Sequence, residues 1–216
     1  MFEEIINELK NTHTQLVAVS KTKPNEQLQA LYDKGQRVFG ENYVQELVDK
    51  YATMPKDIEW HFIGHLQSNK VKYIAPFVAM IHSVDSLKLL QEIDKQALRN
   101  NRTIKCLLQF HIAEEETKFG LDTEGVILFL ESDAFKQLKN IELCGVMGMA
   151  TFTDDKTQVQ KEFQSLKRIF DTLKTTYFAD NQSFKDISMG MSDDYKLAIQ
   201  EGSTMVRIGS LIFGKR

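Results

Sequence analysis

The chain has 216 residues, 42% hydrophobic and 26% charged, with 27 basic against 30 acidic side chains and a net charge of −3. That size suits one folded unit, and the even balance gives no reason to expect nucleic acid or an anionic membrane as a partner. No apolar run approaches the ~20 residues of a membrane span. The amphipathic start MFEEIINELK lacks the basic, apolar and small-residue segments of a secretory signal, so a cytoplasmic location is expected. The two cysteines, Cys106 and Cys144, sit in apolar runs and read as buried thiols, a disulfide between them being the alternative.

The pattern along the chain is a short apolar run, a polar turn and an amphipathic stretch, repeated. A leading segment, 2–9, places Phe2, Ile5, Ile6 and Leu9 on one helical face. Short, mostly unalternating runs follow at 16–20 (LVAVS), 37–40 (RVFG), 60–63 (WHFI), 78–82 (VAMIH), 104–110 (IKCLLQF), 143–149 (LCGVMGM), 186–189 (DISM) and 205–208 (MVRI). Such runs suit strands covered on both faces. Between them, helices are predicted at 24–34, ending before Gly35; at 42–51; at 86–100, capped by Ser86; at 123–130; at 155–176; and at 195–201, ending before Gly202. Eight strands alternating with helices predict a single domain, 1–216: a (β/α)8 TIM-type barrel. Residues 210–216 are too short for a full eighth helix, so the barrel has an extra N-terminal helix over the gap and a truncated C-terminal end. An open doubly wound sheet is the structural alternative.

In a barrel, chemistry gathers at the C-terminal ends of the strands. After the first run, Val17, Val19 and Lys21 share one side, because strand side chains alternate. A lysine at the mouth is partly desolvated, which favours a neutral amine able to attack aldehydes. Lys23 has the same parity, so geometry alone does not choose between them. After the second run, the Asn42 amide can donate to a ring oxygen, or the Gly40–Asn42 turn can simply cap a helix. His61 and His65 are four apart, but in a strand they do not share a face, so no metal site is expected; His13, His82 and His111 read as structural. After the seventh run, Ser192 with Asp193 and Asp194 is either a helix cap or a phosphate contact. After the eighth, Arg207 lies in a buried run, where a charge needs a partner, and Gly209 and Ser210 offer backbone amides to an anion. Both a pyridoxal 5′-phosphate (PLP) protein and a Schiff-base aldolase on a phosphorylated sugar fit this arrangement.

The stretches AVSKTKP (18–24), FGENYVQE (39–46), WHFIGHLQSNK (60–70), GVMGM (145–149), SMGMSDD (188–194) and GSTMVRIGSLIFG (202–214) resemble the YggS/PROSC-type pyridoxal phosphate homeostasis proteins, in order and over almost the whole chain. The resemblance implies a barrel akin to the N-terminal domain of alanine racemase. It places the Schiff-base lysine at Lys21 and Arg207 against the pyridine nitrogen. It implies Ser192 with the backbone around Gly209 and Ser210 on the phosphate, Asn42 on the ring oxygen, and a part for Lys118 in cofactor handling. It further implies PLP as cofactor, PLP-dependent apo-enzymes as partners, and no established catalysis. The rival is an amino-acid racemase of the same fold type. Racemases use a tyrosine from a separate C-terminal domain, which is not expected beyond Arg216; Tyr43 at the mouth is a doubtful substitute. A monomer is expected.

Overall fold

The computed structural model describes residues 1–113 and 120–214. Its strands are β1 (Gln15–Val19), β2 (Val38–Glu41), β3 (Glu59–Phe62), β4 (Met80–Val84), β5 (Ile104–Phe110), β6 (Ile141–Gly148), β7 (Asp186–Ser188) and β8 (Met205–Ile208). They pair in sequence order, all parallel, and β8 returns to β1, so the sheet is a closed eight-stranded barrel. The open-sheet alternative is thereby excluded. Closure leaves no strand edge exposed and puts all carbonyl ends at one rim.

Around the barrel run α1 (Phe2–Leu9), α2 (Asn25–Asp33), α3 (Val44–Thr53), a 3₁₀ turn (Ser68–Lys70) leading into α4 (Val71–Ile74), α5 (Leu87–Arg99), α6 (Thr123–Glu131), α7 (Asp133–Lys136), α8 (Lys156–Thr176), α9 (Tyr195–Gln200) and α10 (Ser210–Phe213). Local chemistry sets several ends. The Ser86 hydroxyl accepts the Leu89 N–H, and the Asp155 carboxylate accepts the Thr157 and Gln158 N–H groups. Gly35, with φ +96°, follows α2 in the left-handed conformation that ends a helix without a Cβ penalty. The turn at Ser68 and helices α4, α7 and α10 are absent from the sequence reading, because three or four residues are too few to show helical periodicity.

The apolar core has two parts. Outward-facing strand residues such as Ala18, Phe39, Trp60, Phe62, Ile81 and Val146 pack under the helices. A separate plug of strand residues, Met80, Leu107, Cys144, Met147 and Met205, fills the barrel's inside. Both thiols are buried and free. The N-terminal helix covers the predicted gap: Ile5 and Leu9 pack with Leu16, Tyr195, Val206 and Ile208. Glu8 accepts hydrogen bonds from the Tyr195 hydroxyl (2.6 Å) and Lys196 Nζ (2.9 Å), tying α1 to α9. Ile5 is 1% exposed, so Ile5→Ala is expected to cost about 3 kcal/mol in urea unfolding, the price of a buried cavity.

Candidate functional site

Barrel closure brings the six expected site residues to one arc of the rim, over β7, β8, β1 and β2. Strand β1 lies between β8 and β2, with Val17 opposite Arg207 and Val19 opposite Gly40. A Cβ added at Gly40 would touch Val17 Cγ1 at 2.9 Å, and one at Gly209 would meet the Val19 carbonyl at 3.0 Å. Lys21, half-buried and two residues past β1, is therefore flanked by the 41–42 turn on one side and the 209–210 turn on the other.

The Lys21 loop is held from below. Ser20 is fully buried, and its hydroxyl donates to Glu41 Oε1 at 2.6 Å. Lys50 Nζ, on α3, donates to the Ser20 carbonyl (2.7 Å), Glu41 Oε1 (2.7 Å) and Glu46 Oε1 (2.6 Å). Glu46 also accepts the Thr22 N–H at 2.6 Å. Thr22 has φ +64°, a strained conformation for a β-branched residue, fixed here by that contact. Burial pushes the Glu41 carboxyl up, with Lys50 and Ser20 opposing the shift. Sequence reading missed this cluster: Lys50 falls in an amphipathic helix, and only packing turns it inward. Lys23, the other lysine of equal parity, donates its Nζ to the Phe213 and Gly214 carbonyls, each at 3.1 Å.

Asn42 lies in the bend between β2 and α3, not in a helix, which begins two residues later than predicted. Its position is set by a close backbone approach: a Cβ at Gly64 would fall 2.2 Å from the Asn42 carbonyl oxygen, so residue 64 must be glycine. Asn42 Oδ1 is buried without a hydrogen-bond partner among the described residues.

Arg207 is 4% exposed and points into the barrel. Its Nη1 donates to Ser188 Oγ (2.7 Å) and its Nη2 to the Gly148 carbonyl (3.1 Å). Both of these partners are neutral, where a buried arginine was expected to need a paired charge; Asp194 contributes the compensating charge. Burial lowers the guanidinium to about 10, so it stays protonated at neutral pH. Ser188 in turn meets His82 Nδ1 at 3.0 Å, and His82 Nε2 meets His61 Nδ1 at 2.9 Å. His82 is thus a member of a buried polar chain, where the sequence suggested an isolated structural histidine. His65 is exposed, 3.5 Å from Asp85, and does not share a face with His61.

Ser192 does not cap α9, which starts three residues later with Asp194 as its flanking residue. Its hydroxyl instead accepts the Gly209 N–H at 3.4 Å, joining the β7 and β8 loops. The two aspartates that follow differ in burial. Asp193 is exposed, but Asp194 is half-buried, accepts the Met191 N–H at 2.5 Å and feels the Arg207 charge, while burial pushes its carboxyl up. Ser210 opens α10, and bonding there begins with Ile212 N–H to the Gly209 carbonyl. A groove of about 1120 Å³ outside α9 and α10 reaches Ser192 and Ser210 but not Lys21, Asn42 or Arg207, so it abuts the site without being its centre. Lys118 lies outside the described residues. No group of three or more His, Cys, Asp or Glu side chains suited to a metal gathers among the described residues. None of the described helices is long and apolar enough to cross a membrane.

The alanine racemase N-terminal domain model matches residues 2–216. A pyridoxal phosphate homeostasis protein of Aquifex aeolicus is 40% identical over 202 residues, covering 93% of this chain and 86% of that one. The chain belongs to the pyridoxal phosphate homeostasis protein family. Within that family's fold, PipY of Synechococcus elongatus, solved with PLP bound, superposes with a TM-score of 0.86 at 32% identity, over 98% of this chain and 99% of PipY. An alanine racemase of Bartonella henselae matches at a TM-score of 0.75 over all of this chain and 59% of the enzyme. At 15% identity it shares the fold alone.

Two predictions follow from the buried charges of this family member. Lys50→Met leaves Glu41 and Glu46 without their cation and is expected to cost about 3–5 kcal/mol in urea unfolding, with part recovered in the E41Q/K50M double variant. The second concerns pH. Burial, with the Lys105 charge adding, pushes His61 down to about 3 from an ordinary value of 6.5; burial, His61 and Arg207 push His82 well below it. The unfolded chain takes up these protons below about pH 6.5 and the fold does not. Stability is therefore lost as pH falls, by about 1.4 kcal/mol per pH unit for each histidine. Glu41, Asp186 and Asp194, with carboxyls raised by burial, act in the opposite sense. Urea unfolding at pH 7.5, 6.5 and 5.5 should show His82→Leu losing about 1.4 kcal/mol less than wild type across the whole range, most of it below pH 6.5.

Proposed function

We propose that this chain binds PLP on Lys21 and serves intracellular PLP homeostasis as a cofactor holder without catalytic turnover. The observation that carries the reading is the β8–β1 pairing, which sets the buried Arg207 beside the strand that leads to Lys21. The bound PLP of PipY and the name of the Aquifex relative supply the cofactor's identity. The residues present fit such a group. Asn42 Oδ1 is buried and lacks a partner among the described residues, and leaving it so is costly. A ring oxygen at the mouth satisfies it, since a 180° turn of the amide presents the nitrogen in place of the oxygen.

Lys21 would hold the cofactor through its amine, and a bound PLP would supply an aldehyde suited to reversible condensation with that amine. Arg207 has donors and no acceptor, so a pyridine nitrogen facing it stays unprotonated and the ring is a weak electron sink. Ser192 and the N–H groups of Gly209 and Ser210 would hold the phosphate, the Gly209 N–H exchanging its 3.4 Å contact with the Ser192 hydroxyl for it. The buried Lys50 cluster keeps the Lys21 backbone in place. Racemisation needs an acid and a base on opposite faces of the substrate carbon. Tyr43, the tyrosine nearest Asn42 in sequence, is 54% exposed and stands just before α3, with no hydrogen bond to its hydroxyl among the described residues. Residues 1–216 act as one domain, a cytoplasmic monomer whose partners are PLP and PLP-dependent apo-enzymes.

Borohydride reduction of PLP-loaded protein followed by peptide mass mapping should place the cofactor on Lys21, and Lys21→Ala should lose the visible absorbance. A label on another lysine, or a protein that stays colourless with added PLP, contradicts the reading. Conversion of L- to D-alanine by the loaded protein should remain at background; sustained racemisation defeats the claim of no turnover.

A further inference from the structure

The inside of this barrel is filled mostly by an apolar plug, yet four polar side chains run across it from β3 to β8. His61 is 2% exposed, His82 and Ser188 are fully buried, and Arg207 is 4% exposed. Burying such groups is costly unless each is hydrogen-bonded, so the chain needs a reason beyond filling space.

Its proton arrangement is fixed by counting donors. A guanidinium only donates, so Ser188 Oγ accepts from Arg207 Nη1. The Ser188 hydroxyl proton then has His82 Nδ1, 3.0 Å away, as its acceptor. His82 Nδ1 is therefore unprotonated and Nε2 carries the hydrogen, which it donates to His61 Nδ1 at 2.9 Å. The opposite order, with His61 donating to His82 and His82 to Ser188, leaves the buried serine proton without an acceptor and turns an N–H toward the Arg207 cation. The charged groups acting on the pair are Lys105 from β5 and Arg207 from β8, with Asp194 near the guanidinium; both cations favour neutral imidazoles.

We propose that His82, acting through Ser188 and seated by His61, is a positioning residue that holds the Arg207 guanidinium in one orientation beneath the Lys21 mouth. The Gly148 carbonyl fixes Nη2, the Ser188 hydroxyl fixes Nη1, and the histidine pair fixes the direction of that hydroxyl. This rests on the PLP reading above for its effect on cofactor, but the proton arrangement is a property of the chain itself.

Two measurements separate the levels. Nitrogen-15 NMR of the histidine rings in the full chain, without added PLP, should show His82 protonated on Nε2 alone from pH 8 to 5. A proton on Nδ1, or a charged ring in that range, overturns the proposal. In PLP titrations, Ser188→Ala and His82→Leu should weaken binding by about tenfold or more, as expected for losing a hydrogen bond to a charged group. They should also shift the visible absorbance and its pH profile while borohydride still labels Lys21. His82→Asn, which keeps an acceptor near the Nδ1 position, should recover most of the loss. If His82→Leu does not fold, Ser188→Ala decides: wild-type affinity and spectrum in that variant defeat the proposal. A wild-type chain that binds no PLP defeats the functional reading instead and leaves the NMR result to stand by itself.

Discussion

The pairing of β8 with β1 is the constraint on which the rest of the molecule depends. It joins residues almost two hundred positions apart in sequence, Gln15 with Met205 through Ala18 with Ile208. It removes the last sheet edge and forces every strand to present its carbonyl end to the same rim. Without it, the Lys21 and Gly209 loops would belong to opposite edges of a sheet. With it, they are neighbours, and the β7 and β2 loops close in on either side. Helix α1 seals the outside of this seam with Ile5 and Leu9, and Glu8 binds it to α9.

Buried charge is handled in two ways, one between the barrel and α3 and one inside the barrel. Beneath the Lys21 loop, Lys50 sits among Glu41, Glu46 and a backbone carbonyl, a compact ion cluster whose attraction offsets the cost of taking three charges from water. Arg207 is held differently, by a hydroxyl and a carbonyl, with Asp194 contributing at longer range. The first arrangement locks backbone, the strained Thr22 included. The second locks the direction of a guanidinium while leaving it a donor. PipY, which shares this barrel, was solved with PLP bound.

Much of this was legible in the residues. The run at 104–110 is β5, the face of Phe2, Ile5, Ile6 and Leu9 is α1, and Ser86 caps α5, because each depends on periodicity or on a side chain reaching three residues along. The motifs naming the family were equally local. What failed was whatever turned on a distant partner. Ser192 looks like a cap but joins Gly209, Asp194 turns inward toward Arg207, and His82 looks like a lone core histidine but links His61 to Ser188, more than a hundred residues on.

The sequence by itself determined the alternation of eight buried strands with amphipathic helices, the family, and the strand ends at which polar residues collect. These rest on side-chain spacing, which the chain carries wherever it goes. The tertiary structure alone decided that Arg207 lies across from Val17. It alone decided that Lys23 is engaged by the last described carbonyls while Lys50 is buried under Ser20. These are matters of register between strands far apart in the chain, set by the fit of the whole core and by no local pattern.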